Sequence, residues 1–422
     1  MTSLMTRRGF LGATATAALA SVAACTQGSA TRDSEEVAAD GSVTITYMNF
    51  SANGGHEEDL QAIADAFHEE NPQITVKLET VPYDSYFTKL QTAVAGGTAS
   101  DAFELNYENF VTYASNGSLK ALDGIDSSSY RPSLFEAFTR DGAQYGLPES
   151  FSNVVLFYNK TLFEEHGLGV PTSEWTWKEE REAAERLTDT ATQTFGDYQP
   201  VSFHEFYKVL AQSGGQFLSD DGTRTAFNSP EGVAAASWLV SKPGAVMPTA
   251  ADGAGAPDFD SELFKSGKLA MWHSGIWMFD GLQDVPFDWD IVVEPGETTK
   301  ASAMFTNGAV VSATTAKAEA ATKWITYLTS SSTMSEIRLS SVWELPPVAD
   351  DAAFESYLDS GQPANRQAVL ESLDKTVLPP VIASQQEMQD AMTQALESAA
   401  AGALSVEEAL AQAASKIDSL LG

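Results

Sequence analysis

The chain has 422 residues, with 24 lysines and arginines against 58 aspartates and glutamates, and so a net charge of −34 at pH 7. This charge disfavours nucleic acid and anionic lipid as partners, because phosphates are repelled, and an anionic ligand would need a local arginine cluster. The length permits two sizeable domains, and a single cysteine excludes an internal disulfide, so stability must come from burial of the core.

The first residues predict export from the cytoplasm. Arg7 and Arg8 precede an apolar stretch, residues 10–22, which is too short to cross a bilayer as a helix. Thr6 to Leu11 resembles a twin-arginine export signal, although the general export route remains open. We therefore expect residues 1–24 to be a signal peptide.

A lipid anchor is predicted directly after this signal. Val22-Ala23-Ala24-Cys25 resembles a lipobox, in which the chain is cut before a cysteine that carries lipid. The alternative is an ordinary signal peptide with a chance cysteine at the cut. We expect Cys25 to be lipidated and residues 25–42, which are small and polar, to be a flexible spacer on the outer face of the cell membrane.

Strand and helix patterns alternate from residue 43 onward. Val43 to Tyr47 alternates as a strand, and Leu60, Ile63, Ala64 and Phe67 form one apolar helix face. A second strand follows over 74–78, and a second helix ends at Gly96-Gly97. This alternation predicts an α/β layer fold with parallel strands.

The middle of the chain keeps this alternation. Residues 154–158 are typical of a buried strand, and Thr176 with Glu179 predicts a capping box at a helix start. Asn228 or Ser229 is expected to cap a further helix, and two amphipathic helices close the chain. Because no Pro/Gly/Ser linker separates the domains, we expect the two lobes to share strands that cross between them.

The sequence contains no recognisable catalytic motif. Five histidines are scattered, and neither a His-Glu-x-x-His zinc motif, a Gly-x-Ser-x-Gly elbow, a Walker loop nor a dinucleotide fingerprint occurs. We therefore predict no catalytic residues, no metal ligands and no cofactor.

Aromatic residues point instead to a ligand cleft. They make up 10% of the chain and include eight tryptophans. Trp238 and Trp324 lie on predicted amphipathic helices, and we expect them in the protein core. Trp272 and Trp277 lie instead in a stretch where a strand ends at a glycine, and α/β folds place ligands in the loops past strand ends. Flat rings stack on sugars, and carboxylates or amides bind their hydroxyls.

Several segments resemble a known family, in its order. Residues 97–106, 108–119, 156–163 and 227–232, and the stretch from Gly267 to Trp277, resemble motifs of extracellular solute-binding proteins (family 1) of carbohydrate ABC importers, of the maltose-binding-protein-like kind. The similarity spans about residues 43–421. Ser51 and His204 depart from the pattern of maltose binding, so the resemblance does not imply that this chain is specific for maltose.

The resemblance implies an α/β, two-lobed periplasmic-binding-protein fold (type II-like), each lobe a mainly parallel sheet flanked by helices and joined by a multi-strand hinge. Residues 43–151 and 307–345 would form the N-lobe, and 152–306 and 346–422 the C-lobe. It implies these ligand-binding residues: Asn49, Phe50, Ser51, Glu108, Asn109, Phe151, Asn153, His204, Trp272, Ser274, Trp277, Asn307, Trp343 and Glu344.

The expected function is therefore that of a non-enzymatic, lipid-anchored receptor. It would capture a neutral sugar or oligosaccharide, pass it to the permease subunits of an ABC transporter, act as a monomer and bind no nucleic acid. Two alternatives remain open: a polyol or glycerophosphodiester as ligand on the same fold, and an exported glycoside hydrolase, which would release reducing ends.

Overall fold

The computed structural model describes residues 41–253, 258–341 and 343–421. The predicted signal peptide, Cys25 and all but the last two residues of the predicted spacer lie outside the described residues. Within the described ranges, no helix combines the length and apolar character needed to cross a membrane.

The strands and helices alternate in the N-terminal part, as the sequence predicts. The strands are β1 (Val43–Asn49), β2 (Ile74–Thr80), β3 (Ala102–Asn106), β4 (Thr139–Arg140), β5 (Ala143–Gln144), β6 (Gly146–Asn159), β7 (Met271–Gly275), β8 (Trp289–Val292), β9 (Ser302–Val311) and β10 (Thr376–Val377). The helices are α1 (Glu57–Glu70), α2 (Tyr83–Ala95), α3 (Tyr107–Ser115), α4 (Pro132–Ala137), α5 (Lys160–Glu165), α6 (Trp177–Leu187), α7 (Phe203–Gln212), α8 (Pro230–Val240), α9 (Phe259–Lys265), α10 (Ala318–Ser330), α11 (Ser332–Ser340), α12 (Glu355–Leu358), α13 (Gln367–Ser372), α14 (Gln385–Ala400) and α15 (Val406–Leu421).

Two long strands connect the two halves of the main sheet, whose order is β2-β1-β3-β9-β6-β7. β1 pairs in parallel with β2 and β3, and β3 then pairs antiparallel with β9. The first part of β6, from Gly146 to Asn153, pairs antiparallel with β9, and its second part pairs with β7 and β8. The N-terminal and C-terminal strands therefore meet through the β6–β9 pair.

The predicted lobe boundaries fall within this crossing. Phe151 pairs with Thr306, and Ser152 with Phe305, so the boundaries after 151 and 306 meet at adjacent rungs of one ladder. The amide of Phe151 also donates to the carbonyl of Leu345, at 3.0 Å. Phe151, Thr306 and Leu345, which end three of the predicted ranges, are therefore neighbours, and the lobe ranges themselves stay a prediction.

Local sequence signals explain where several helices begin. Thr176 and Glu179 form the predicted capping box of α6. The hydroxyl of Ser229 accepts from the amide of Gly232 at the start of α8, with Pro230 in the first turn. The apolar stripe of α1 is buried as predicted. These predictions are confirmed. The sequence could indicate them because each depends on neighbouring residues alone.

The buried core follows the two halves of the sheet. In the N-terminal half, Trp324 is fully buried and meets Tyr47 and Phe67 edge to face, as its place on an amphipathic helix predicts. In the C-terminal half, Trp238 is only partly buried and stacks on Trp177, with ring centroids 4.9 Å apart.

Candidate binding cleft

A cleft of about 450 Å³ opens where β9 passes between α3 and α7. Its lining residues come from both halves of the chain: Phe50, Ser51, Tyr83, Asn106, Tyr107, Glu108, His204, Met304, Phe305, Thr306, Asn307, Glu344 and Pro379. The volume suits a small-molecule ligand, and the lining mixes rings with a few polar groups. A larger, more open depression of about 610 Å³ lies along α2, but the described residues that line it include no aromatic ring. We therefore take the cleft as the candidate site.

The first wall is built at the ends of the parallel strands β1 and β3. The carboxylate of Glu104, which is fully buried, accepts from the backbone amides of Phe50 and Ser51, at 2.9 and 3.0 Å. Burial raises the pKa of Glu104 well above its usual value, and the negative charges of Glu149 and Glu344 add to the rise. Glu104 thus fixes the loop that carries two lining residues.

A carboxyl group is held where the two crossing strands meet. The hydroxyl of Ser150 donates to Glu344, and the side-chain amide of Asn307 donates to both carboxylate oxygens of Glu344, at 3.2 and 3.3 Å. Ser150 and Asn307 are cross-strand partners in β6 and β9. The carboxyl group of Glu344 is therefore held in one orientation as a hydrogen-bond acceptor for the cleft. Neither of the two side chains that hold it is cationic.

Trp343 supports the first wall from behind. Its indole N–H donates to the carbonyl of Ser51, at 3.1 Å, and only 7% of the residue is exposed. The guanidinium of Arg338 lies 4.0 Å from the ring centroid, and the ring of His56 stacks parallel to it at 4.9 Å. Because protein groups enclose the ring, Trp343 acts here on the Ser51 loop.

The start of α3 brings a second carboxyl group to the cleft. Asn106 caps this helix by accepting from the amide of Asn109, at 3.2 Å, and it also accepts from the Asn109 side chain, at 2.8 Å. The cap places Glu108 in the first turn, facing the cleft. The other side-chain group of Asn106 donates to the hydroxyl of Tyr83, at 3.3 Å.

The opposite wall comes from α7 and from the segment after β7. Burial lowers the pKa of His204, which favours its neutral imidazole, a form that can both donate and accept. Trp277 remains 55% exposed, and its ring meets Phe305, a lining residue, edge to face at 5.5 Å. On the first wall, the lining residue Tyr83 is 54% exposed, and Trp277 adjoins the cleft on the opposite side through Phe305.

The sequence profile of one family, "Bacterial extracellular solute-binding protein", matches residues 53–334. The chain belongs to this family. The α/β, two-lobed fold expected from the sequence is confirmed by solved structures that match nine-tenths of the chain.

This solute-binding protein is similar to an ABC substrate-binding protein of Listeria monocytogenes solved with cycloalternan. The identity is 42%, the match covers 90% of this chain and 98% of the other, and the TM-score is 0.78. It is also similar to the cyclic α-maltosyl-1,6-maltose binding protein of Arthrobacter globiformis, with 25% identity, 90% and 99% coverage and a TM-score of 0.79. A maltooligosaccharide ABC transporter solute-binding lipoprotein of Streptococcus pneumoniae is 24% identical over 66% of each chain.

The structure brings most of the residues predicted for the site to one place. Phe50, Ser51, Glu108, His204, Asn307 and Glu344 line the cleft. Trp277, Trp343 and Asn109 adjoin it through their contacts with Phe305, Ser51 and Asn106. These nine of the fourteen predicted residues come from six separate stretches of sequence.

Five predicted residues lie elsewhere. Trp272 is 1% exposed between Phe157 and Phe264, because β7 turns it into the C-terminal core, and its N–H donates to Asp260. Asn49 donates to Thr80 and Asn153 to the carbonyl of Val369, both from buried positions. Phe151 is buried at the crossing, and Ser274 pairs with Val155 on β7.

Several lining residues were not predicted: Tyr83, Asn106, Tyr107, Met304, Phe305, Thr306 and Pro379. The rule that ligands lie past the ends of parallel strands was available for Tyr83 and Asn106, which follow β2 and end β3. Met304, Phe305 and Thr306 of β9 carry no such signal, because their place within the strand does not show which of their side chains a cleft exposes.

A second cluster of charged groups is buried in the C-terminal half. Glu180, Asp197 and His273 bring their ligand atoms within 4.8 Å of one another, a donor set that could hold a metal ion. The ammonium of Lys242 already lies 2.7 Å from Glu180 and 2.5 Å from Asp197. The lysine therefore supplies the cation that these carboxylates require, and the cluster is an ionic network.

Proposed function

We propose that this protein captures a neutral oligosaccharide and delivers it to the permease of an ABC importer, without chemical conversion. The observation that carries the proposal is the cleft itself, which is lined by the exposed ring of Tyr83 and by the carboxyl groups of Glu108 and Glu344. The exposed ring of Trp277 adjoins it through the lining residue Phe305. Rings supply stacking area for sugar faces, and carboxylates accept hydrogen bonds from hydroxyls. The 42% identical relative solved with cycloalternan supports the same ligand class.

Within this proposal, each wall has a distinct task. Glu108, Glu344, Asn307 and His204 bind hydroxyls, since each presents a polar group in the cleft lining. Trp277 stacks on a sugar ring, and Trp343 holds the Ser51 loop in place. Closure of the lobes about the β6–β9 crossing would then exclude water from these hydrogen bonds.

The charge of the lining favours a neutral ligand over a glycerophosphodiester. Among the described residues that line the cleft there are two glutamates and no lysine or arginine. A phosphate group is bound most strongly by arginine forks or lysine, so it would meet repulsion here. A polyol remains compatible with the charge but would leave the exposed rings without a stacking partner.

Titration calorimetry tests this function with cycloalternan, maltotetraose and glycerophosphocholine as probes. We expect one saccharide bound per chain with a Kd on the order of 1 μM, about −8 kcal/mol, and no heat with glycerophosphocholine. The saccharide recovered afterwards should be intact. Release of reducing ends would instead support the glycoside hydrolase.

Anchoring and assembly form part of the proposal. The lipobox-like Val22 to Cys25 and the lipoprotein among the relatives support attachment through Cys25 on the outer face of the membrane. We also propose a monomer, which light scattering of the purified protein would test. A dimer at micromolar concentration would contradict it.

A further inference from the structure

The ring of Trp277 rests on the backbone of Gly275, at the end of β7. A Cβ built on Gly275 would lie 1.9 Å from Cζ3 of Trp277 and 2.1 Å from both Cε3 and Cη2. These three atoms belong to the six-membered part of the indole, so this part of the ring occupies the space of the missing side chain. Non-bonded atoms do not approach this closely, so any residue larger than glycine would have to displace the ring.

The backbone of Gly275 does not itself require glycine. Its φ of −87° and ψ of 158° are extended values that any residue adopts. The reason for a glycine is therefore the ring that lies on it. This separates Gly275 from glycines with positive φ, such as Gly267, where a side chain would strain the backbone.

The arrangement leaves part of the indole open beside the cleft. Gly275 covers one side of the ring, Phe305 meets it edge to face, and Trp277 is still 55% exposed. Among the described residues, only Tyr83 and Trp277 are aromatic residues with comparable exposure. A large exposed ring held against the backbone presents a fixed apolar face for binding.

We propose that Gly275 is a positioning residue that fixes Trp277 as the stacking platform of the cleft, an inference that rests on the proposed saccharide-binding function. A side chain at position 275 would push the indole from its place against Phe305. Because the displaced group is the far end of an exposed side chain, the fold would be kept while the platform is lost.

A double-mutant cycle tests this proposal with cycloalternan and maltotetraose as probes in titration calorimetry. We expect Gly275→Ala and Trp277→Ala each to weaken binding about tenfold or more, as for loss of an aromatic anchor. The double variant should bind no more weakly than Trp277→Ala alone, because both changes remove the same contact. Gly281→Ala is the matched control, since its Cβ would lie 3.7 Å from the nearest atom, in Lys265.

Acrylamide quenching of tryptophan emission reads the ring position without any saccharide. Gly275→Ala should change the quenched fraction relative to wild type, and the same substitution should change nothing in the Trp277→Ala background. Melting temperatures of all variants serve as the check on folding, and Gly275→Ala should melt within a few degrees of wild type.

Wild-type affinity in Gly275→Ala, or additive losses in the double variant, would overturn the proposal. If the wild-type protein binds neither probe, the proposed function fails and the platform loses its saccharide role. Quenching then still decides the placement of the ring, since identical quenching of wild type and Gly275→Ala would contradict the contact between Gly275 and Trp277.

Discussion

Replacement of Lys242 by methionine should destabilise the protein strongly. The side chains of Lys242, Glu180 and Asp197 are each about 1% exposed, and the ammonium lies 2.7 and 2.5 Å from the two carboxylates. Lys242 also lies 4.2 Å from the ring centroid of Trp238 and donates to Gln199. Without the lysine, the two buried carboxylates would retain His273, 3.1 and 3.3 Å away, as their one ion-pair partner within 4 Å among the described residues.

The size of the effect follows from this burial. Removal of one partner from a buried ion pair costs about 3–5 kcal/mol, because the remaining charge stays out of water without compensation. For a folding unit of 150–250 residues, each kcal/mol lowers the melting temperature by about 2–4 °C. We therefore expect Lys242→Met to melt roughly 6–20 °C below wild type.

Circular dichroism at increasing temperature, with urea unfolding as a second measure, would test this value. Lys89→Met is the matched control, since Lys89 forms a 2.6 Å pair with Glu79 in which both side chains are about half exposed. An exposed pair contributes under about 1 kcal/mol, so the control should melt near wild type. A Lys242→Met protein as stable as this control would refute the reasoning.

Three further outcomes are expected. Burial would raise the pKa of Glu294, but the charges of His273 and Lys208 lower it to about 2. Ionised Glu294 therefore stabilises the fold fully above its unfolded-state pKa near 4.5, and this stabilisation is lost as the pH falls toward 2. The melting temperature should fall over this pH range, and less steeply in Glu294→Gln. Trp343→Phe removes the N–H bound to Ser51 and should weaken maltotetraose binding a few fold in calorimetry, and unchanged affinity would contradict its supporting role. Cys25→Ala should move the protein from the membrane fraction to the medium on immunoblots, whereas an unchanged membrane fraction would argue against the lipobox.

Local signals in the sequence predicted local structure well. The capping box of Thr176 and Glu179 and the apolar stripe of α1 depend on spacing within one helix, which the sequence shows directly. The motif order indicated the family and, through it, six of the thirteen residues that line the cleft. These features needed no knowledge of which strands pair.

Features made by distant segments could not be predicted in the same way. Glu344 is held by Ser150 and Asn307, which lie 194 and 37 residues away and become neighbours only through the pairing of β6 with β9. Trp272 and Trp277 looked equivalent in sequence, yet β7 turns the first into the core while the second follows the strand's last glycine. The Lys242 network likewise joins separate elements without a motif.

A crystal structure of the protein grown with cycloalternan would test the central claim most directly. The account predicts density for an intact saccharide in the cleft, with hydroxyls within hydrogen-bond distance of Glu108 or Glu344 and a sugar ring against the open face of Trp277. Saccharide bound elsewhere on the chain, with this cleft empty, would contradict the account.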